Sequence, residues 1–169
     1  MEQICALGAR NGLGIVAYLS MAFGNPYGDA WGQEDVITAC RKLRELGIQE
    51  ISLADTVGMA SPEQIKSLVG AVREAVPEIG LGAHLHARPQ QAAEKVAAAY
   101  QAGCCRLDMA LGGLGGCPFA QDALVGNVAT ETAIKELNKL GAILPSLHPL
   151  DQVLTMSRDI ADRFGAAKV

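Results

Sequence analysis

Aromatic residues are scarce in this chain: three Phe, three Tyr and one Trp among 169 residues. A core built from it rests on Ala, Val, Leu and Ile. Neither sign of charge dominates, since 14 basic and 18 acidic side chains give a formal −4. With no basic block to grip a phosphate backbone, nucleic acid is not an expected partner. No apolar run approaches the roughly 20 residues that span a bilayer, so no membrane is expected either. Met1-Glu2-Gln3-Ile4-Cys5 lacks the basic stretch and apolar run of a signal peptide. Five cysteines, an odd number without regular spacing, do not read as a disulfide framework. A reducing, cytoplasmic setting is therefore expected. The length suits one domain, and 50% hydrophobic content suffices for a real core.

What is present is a rhythm. Residues 1–13 read as the end of a helix, stopped at Asn11-Gly12. Gly14 to Ala22 is a near-continuous apolar run, as expected of a parallel strand covered on both faces. From Gln33 the period changes to that of a helix, with Val36, Ile37, Cys40, Leu43 and Leu46 on one face. Glu50 to Ala54 is the next strand. Ser61-Pro62-Glu63-Gln64 then combines an N-cap, a helix-opening proline and a capping-box Gln. Gly80 to His86 is a third strand, with a helix from Pro89 to Gly103. Cys105 to Ala110 is a fourth strand, and a helix from about Thr130 to Leu140 follows. A last amphipathic helix spans about 148–165. Strand and helix thus alternate four times, the βα rhythm of a parallel sheet. An open doubly wound sheet and a (βα)8 barrel share it.

The chemistry gathers at the ends of the strands. His84 and His86, two apart, share one face of the third strand. Two imidazoles on one face can hold one metal ion, and the Asn127 amide could add a third arm. Imidazole with oxygen donors suits Mn²⁺, Fe²⁺ or Zn²⁺, and Mg²⁺ if oxygens complete the shell. Binding requires neutral rings, so occupancy should fall as pH drops toward about 6.5. Cys117 follows Gly112-Gly113-Leu114-Gly115-Gly116 and precedes Pro118. It is either a small buried residue or a reactive thiol on a lid, and both readings stay open. Asp55 could cap the next helix, support a ligand or carry a proton. The adjacent Cys104 and Cys105 read as two buried thiols, and Arg106 and Asp108 as a pair in or near the sheet.

In combination these stretches are recognisable. Ile51-Ser52-Leu53-Ala54-Asp55-Thr56-Val57-Gly58, Ala83-His84-Leu85-His86, the glycine loop through Cys117-Pro118-Phe119-Ala120, and Gly126-Asn127 with Thr130-Glu131 resemble the 3-hydroxy-3-methylglutaryl-CoA lyases. The glycine loop with its Cys-Pro is the most specific part. The resemblance implies a TIM barrel and cleavage of 3-hydroxy-3-methylglutaryl-CoA to acetyl-CoA and acetoacetate with Mg²⁺ or Mn²⁺. It implies His84, His86 and Asn127 as metal ligands, and Cys117, Asp55 and His84 as catalytic. Gly115 and Gly116 would belong to the lid over substrate. Many relatives follow the second histidine with an acidic residue; here Ala87-Arg88-Pro89 stands instead, and Arg88 would meet the anionic CoA.

The resemblance also implies something missing. The family's aspartate ligand and enolate-stabilising arginine, both on the first barrel strand, have no counterpart here. The expectation is a single partial domain: 1–13 ending a preceding helix, 14–140 four βα units, 148–165 a closing helix. Such a half-barrel leaves two strand edges and an apolar interior face open. It is expected to need a separate N-terminal half or self-association, as a homo-oligomer. A related acyl-CoA aldolase or condensing enzyme and a non-catalytic fragment are the alternatives.

Overall fold

Four parallel strands form the frame, and each lies beside the one before it in the chain. The computed structural model describes residues 1–116, 125–146 and 149–164. A first helix, α1 (Glu2–Arg10), precedes β1 (Val16–Leu19), α2 (Gln33–Glu45), β2 (Glu50–Asp55) and α3 (Pro62–Ala75). Then come β3 (Gly80–Ala87), α4 (Pro89–Gln101), β4 (Arg106–Asp108), the two-residue β5 (Gly126–Asn127), α5 (Thr130–Lys139) and α6 (Asp151–Phe164). The sheet order is β1-β2-β3-β4, every step parallel. Doubly wound sheets reverse direction at a switch point, and these strands do not, which is the barrel sense of winding. The crossover helices pack in sequence, α2 on α3, α3 on α4 and α4 on α5. Among the described residues, no helix is long and apolar enough to cross a membrane.

Local chemistry explains why α3 starts where it does. Ser61 Oγ accepts from the Gln64 N–H at 3.2 Å, while Gln64 Oε1 accepts from the Ser61 N–H at 2.9 Å. This reciprocal cap satisfies two otherwise orphaned donors, and Pro62 needs no partner there. The apolar stripe of α3 (Ile65, Leu68, Val69, Val72) is fully buried. It packs in one core with Ile51 and Leu53 of β2, Leu81, Ala83 and Leu85 of β3, and Val96 and Ala99 of α4. Side chains alternate across a strand, so the even-numbered residues of β2 and β3 face the other way.

That other face differs from the expected apolar interior. It is polar. Ser52 Oγ donates to Asp108 Oδ2 at 3.1 Å, and Arg106 Nη1 donates to Glu50 Oε2 at 3.0 Å. Arg106 on β4 reaches Glu50 on β2 across β3, where Gly80 and Gly82 are their register partners. A Cβ on Gly80 would collide with the Glu50 carboxylate, and one on Gly82 would stand 2.9 Å from Arg106 Nη2. These two glycines make room for the bridge.

Other expectations need correcting. β1 is shorter than the apolar run, and Val16 and Tyr18 are 40% and 51% exposed, because helices cover only one of its faces. β4 is three residues long, with an isolated bridge from Ala110 to Ala129 beyond it. Both adjacent cysteines precede β4, and of the two Cys104 is buried but Cys105 is exposed. Burial pushes the Cys104 thiol up to about 12 and that of Cys40 to about 11, so neither is a ready nucleophile.

Candidate metal centre

His84 and His86 leave β3 on one face, as their spacing requires, with ring centroids 4.9 Å apart and the rings perpendicular. His86 is buried and His84 half-buried. Asn127 reaches them through β5, which pairs antiparallel with the end of β3 and sets Asn127 directly opposite His86. All three line one cavity of about 350 Å³, together with Tyr18, Ser20, Ala54, Thr56 and Gly116. It lies at the C-terminal end of the parallel strands, where barrels place their sites. The three residues expected as ligands are thus brought together, Asn127 through a short strand.

The donor set fits a divalent cation. Asn127 Nδ2 donates to the Leu114 carbonyl at 2.8 Å, which turns the amide oxygen away from that bond. His86 Nδ1 lies 3.0 Å from the backbone carbonyl of Asp55. A carbonyl can only accept, so Nδ1 carries the proton and the Nε2 lone pair is left for an ion. Two imidazole nitrogens and one amide oxygen make three arms, leaving positions for substrate or water. Among the described residues, no trio of His, Cys, Asp or Glu side chains could hold an ion by itself.

Asp55, expected among the catalytic residues, lies behind this cavity and does not line it. It follows the parity of Ile51 and Leu53, facing the helices and not the cavity, and is 2% exposed. Its Oδ1 accepts from the Ala60 N–H at 3.0 Å, and its Oδ2 accepts from Lys95 Nζ at 2.8 Å. Lys95, on α4, is a buried charge behind the cavity that the sequence reading missed. The signal was present: Lys95 stands three after Ala92 and four before Ala99, on the buried stripe of α4. A lysine on such a stripe needs a buried partner, and Asp55 is the acid on the matching face of β2.

The glycine stem answers a backbone requirement. Residues 113–116 run hard against 125–127, with the Asn127 N–H donating to the Gly115 carbonyl at 3.2 Å. A Cβ on Gly113 would stand 2.9 Å from the Asn127 carbonyl oxygen. Gly112 N–H donates to Glu131 Oε2 at 3.1 Å, fixing the stem to α5. Cys117 lies outside the described residues. Arg88 flanks the start of α4 and does not line the cavity. Asn25, another polar residue after a strand, organises its own loop by accepting from the Tyr27 and Asp29 N–H groups.

Burial holds the His84 imidazole below its ordinary 6.5, the neighbouring His86 adds to this and Asp108 opposes it. Protons should therefore displace a metal from this arm only at a pH below 6.5. In the metal-free chain, the unfolded state takes up this proton first as pH falls past 6.5. Its stabilising contribution is complete above 6.5 and declines below it. Urea midpoints at pH 7.5 and 5.5 should show the fall, and a smaller one in His84→Gln.

The family model described as HMGL-like matches residues 10–160. The chain is 36% identical over 140 residues to the cytoplasmic 3-hydroxy-3-methylglutaryl-CoA lyase of Rattus norvegicus, covering 83% of this chain and 40% of that protein. It is 38% identical over 132 residues to the (R)-citramalyl-CoA lyase of Chloroflexus aurantiacus, covering 78% and 41% respectively. The HMG-CoA lyase structure from Bacillus subtilis superposes with a TM-score of 0.84 at 32% identity, over 97% of this chain and 54% of that one. The chain thus spans about half of the length of these relatives. Sequential parallel strands, paired imidazoles at the strand ends and a match over almost the whole chain converge on one assignment: this chain belongs to the HMGL-like family.

Proposed function

We propose that this chain contributes the metal-holding half of a carbon–carbon lyase acting on 3-hydroxy-3-methylglutaryl-CoA. The observation that carries this reading is the convergence of His84, His86 and Asn127 on one cavity at the strand ends. These three residues would hold Mg²⁺ or Mn²⁺. A bound divalent cation supplies Lewis-acid polarisation of the substrate's hydroxyl and carbonyl oxygens. His86, buried and tied to the Asp55 carbonyl, is the fixed arm. His84 is the less buried ring; with one nitrogen on the ion its other nitrogen would carry hydrogen, so water in the cavity would take the tertiary hydroxyl proton. Loss of that proton closes the ketone of acetoacetate as the carbon–carbon bond breaks, leaving the thioester enolate of acetyl-CoA. Cys117 would protonate the enolate carbon from Sγ. Gly115 and Gly116 would carry the lid that excludes water, and Arg88 would meet the CoA anion.

The polar inner face supports a partner. β1 and β4 have no further strand on their outer sides among the described residues. Arg106 Nε lies 3.8 Å from Asp108 Oδ1 on this charged face. A complementary half-barrel, or a second copy, would cover this face and pair its open strand edges. Size exclusion at micromolar concentration should show a species larger than the 17.6 kDa monomer. A monomer there would contradict this.

The activity test supplies an N-terminal half-barrel in trans with Mn²⁺ and 3-hydroxy-3-methylglutaryl-CoA. Acetoacetate should be released, and Cys117→Ala should abolish it. No acetoacetate from an assembled, Mn²⁺-loaded pair would reject the reading. The similarity to a citramalyl-CoA lyase favours a second substrate of the same chemistry. Citramalyl-CoA would release pyruvate instead, so assaying both products distinguishes the two.

A further inference from the structure

We propose that Lys95 is a positioning residue that holds His86 in the one tautomer and orientation able to bind a cation. This rests on the metal-centre reading above and names a residue behind it. The ammonium of Lys95 has three donors, and each meets one acceptor. They are Asp55 Oδ2 at 2.8 Å, the His86 carbonyl at 2.9 Å and the Gly58 carbonyl at 3.0 Å. These lie on three pieces of chain: the end of β2, the end of β3 and the turn after β2.

The bonds close a circuit around one ring. His86 is gripped at its backbone oxygen by Lys95, and at its ring Nδ1 by the carbonyl of Asp55. The Asp55 side chain is itself held by Lys95. The β2–β3 ladder ends at Asp55 and Leu85, one residue before His86, so no further β2–β3 register pair holds His86 in place. Lys95 acts where that pairing stops and where β5 brings Asn127 in from the other side. A plain structural ion pair would need only the carboxylate. Here two of three bonds go to backbone oxygens, one of them that of His86.

The test uses the full chain, ¹⁵N-labelled and metal-free at pH 8, where imidazole is neutral. Histidine ring ¹⁵N shifts report which nitrogen carries the proton. Wild type should show His86 as a single Nδ1–H tautomer. Lys95→Met should show both tautomers, with Mn²⁺ affinity down about 10- to 100-fold, the range for partners that orient a ligand. Lys95→Met/Asp55→Asn removes both charges yet keeps the carbonyl of residue 55. It should behave alike and guards against a single variant that does not fold. A Nε2–H tautomer in wild type would overturn the proposal. So would a single Nδ1–H tautomer in a folded variant, or variant affinity within twofold of a wild type that binds. Failure of wild type to bind Mn²⁺ would sink the metal reading alone, since the tautomer still decides the role of Lys95.

Discussion

His86→Ala is expected to weaken Mn²⁺ binding by at least about 100-fold, the upper end of what loss of an orienting partner costs. The effect should exceed that of any neighbouring substitution because this ring is both buried and already oriented. Its Nδ1 is committed to the Asp55 carbonyl at 3.0 Å, so Nε2 needs little reorganisation to coordinate. Alanine removes one of the three proposed arms, the ring set opposite Asn127 by the β3–β5 pair. The ring itself contributes nothing to the strand's backbone pairing, so the fold should survive. Isothermal titration with Mn²⁺, checked against far-ultraviolet circular dichroism, measures both. Unchanged affinity in a folded variant would remove His86 from the ligand set.

Lys95→Met should lower the free energy of unfolding by about 3–5 kcal/mol, the usual consequence of stranding one member of a buried ion pair. That is a large share of the roughly 5–15 kcal/mol that holds a domain folded. Lys95 and Asp55 are both 2% exposed, so water cannot rehydrate the carboxylate left behind. Two backbone carbonyls also lose their donor. Lys95→Met/Asp55→Asn should recover most of the loss. The unpaired charge is gone, and the new carboxamide oxygen can still accept from the Ala60 N–H that Asp55 now serves. Urea denaturation of the three proteins gives the comparison through midpoint and slope. Equal losses in the single and double variants would mean that the pair's charge is not what matters.

Much of the scaffold was legible without coordinates. The capping box at Ser61-Pro62-Glu63-Gln64 and the stripe from Ile65 to Val72 placed α3 because both are local patterns. The shared face of His84 and His86 followed from strand geometry alone. Parity on β2 could have gone further, since Asp55 has the parity of Ile51 and Leu53 and so had to face the core. Lys95 carried the same kind of signal on α4.

Three things lay beyond local rules. The strand order that separates a barrel winding from an open sheet depends on how crossovers pack, not on the strands' own residues. The placing of Asn127 opposite His86 depends on β5, a two-residue strand too short to show any periodicity. The bond between Lys95 and Asp55 joins residues 40 apart in the chain. Periodicity and capping act over a few residues, because they arise from neighbouring dihedrals and side chains. Which distant faces meet is settled only when burial and hydrogen-bond satisfaction are optimised for the whole chain at once.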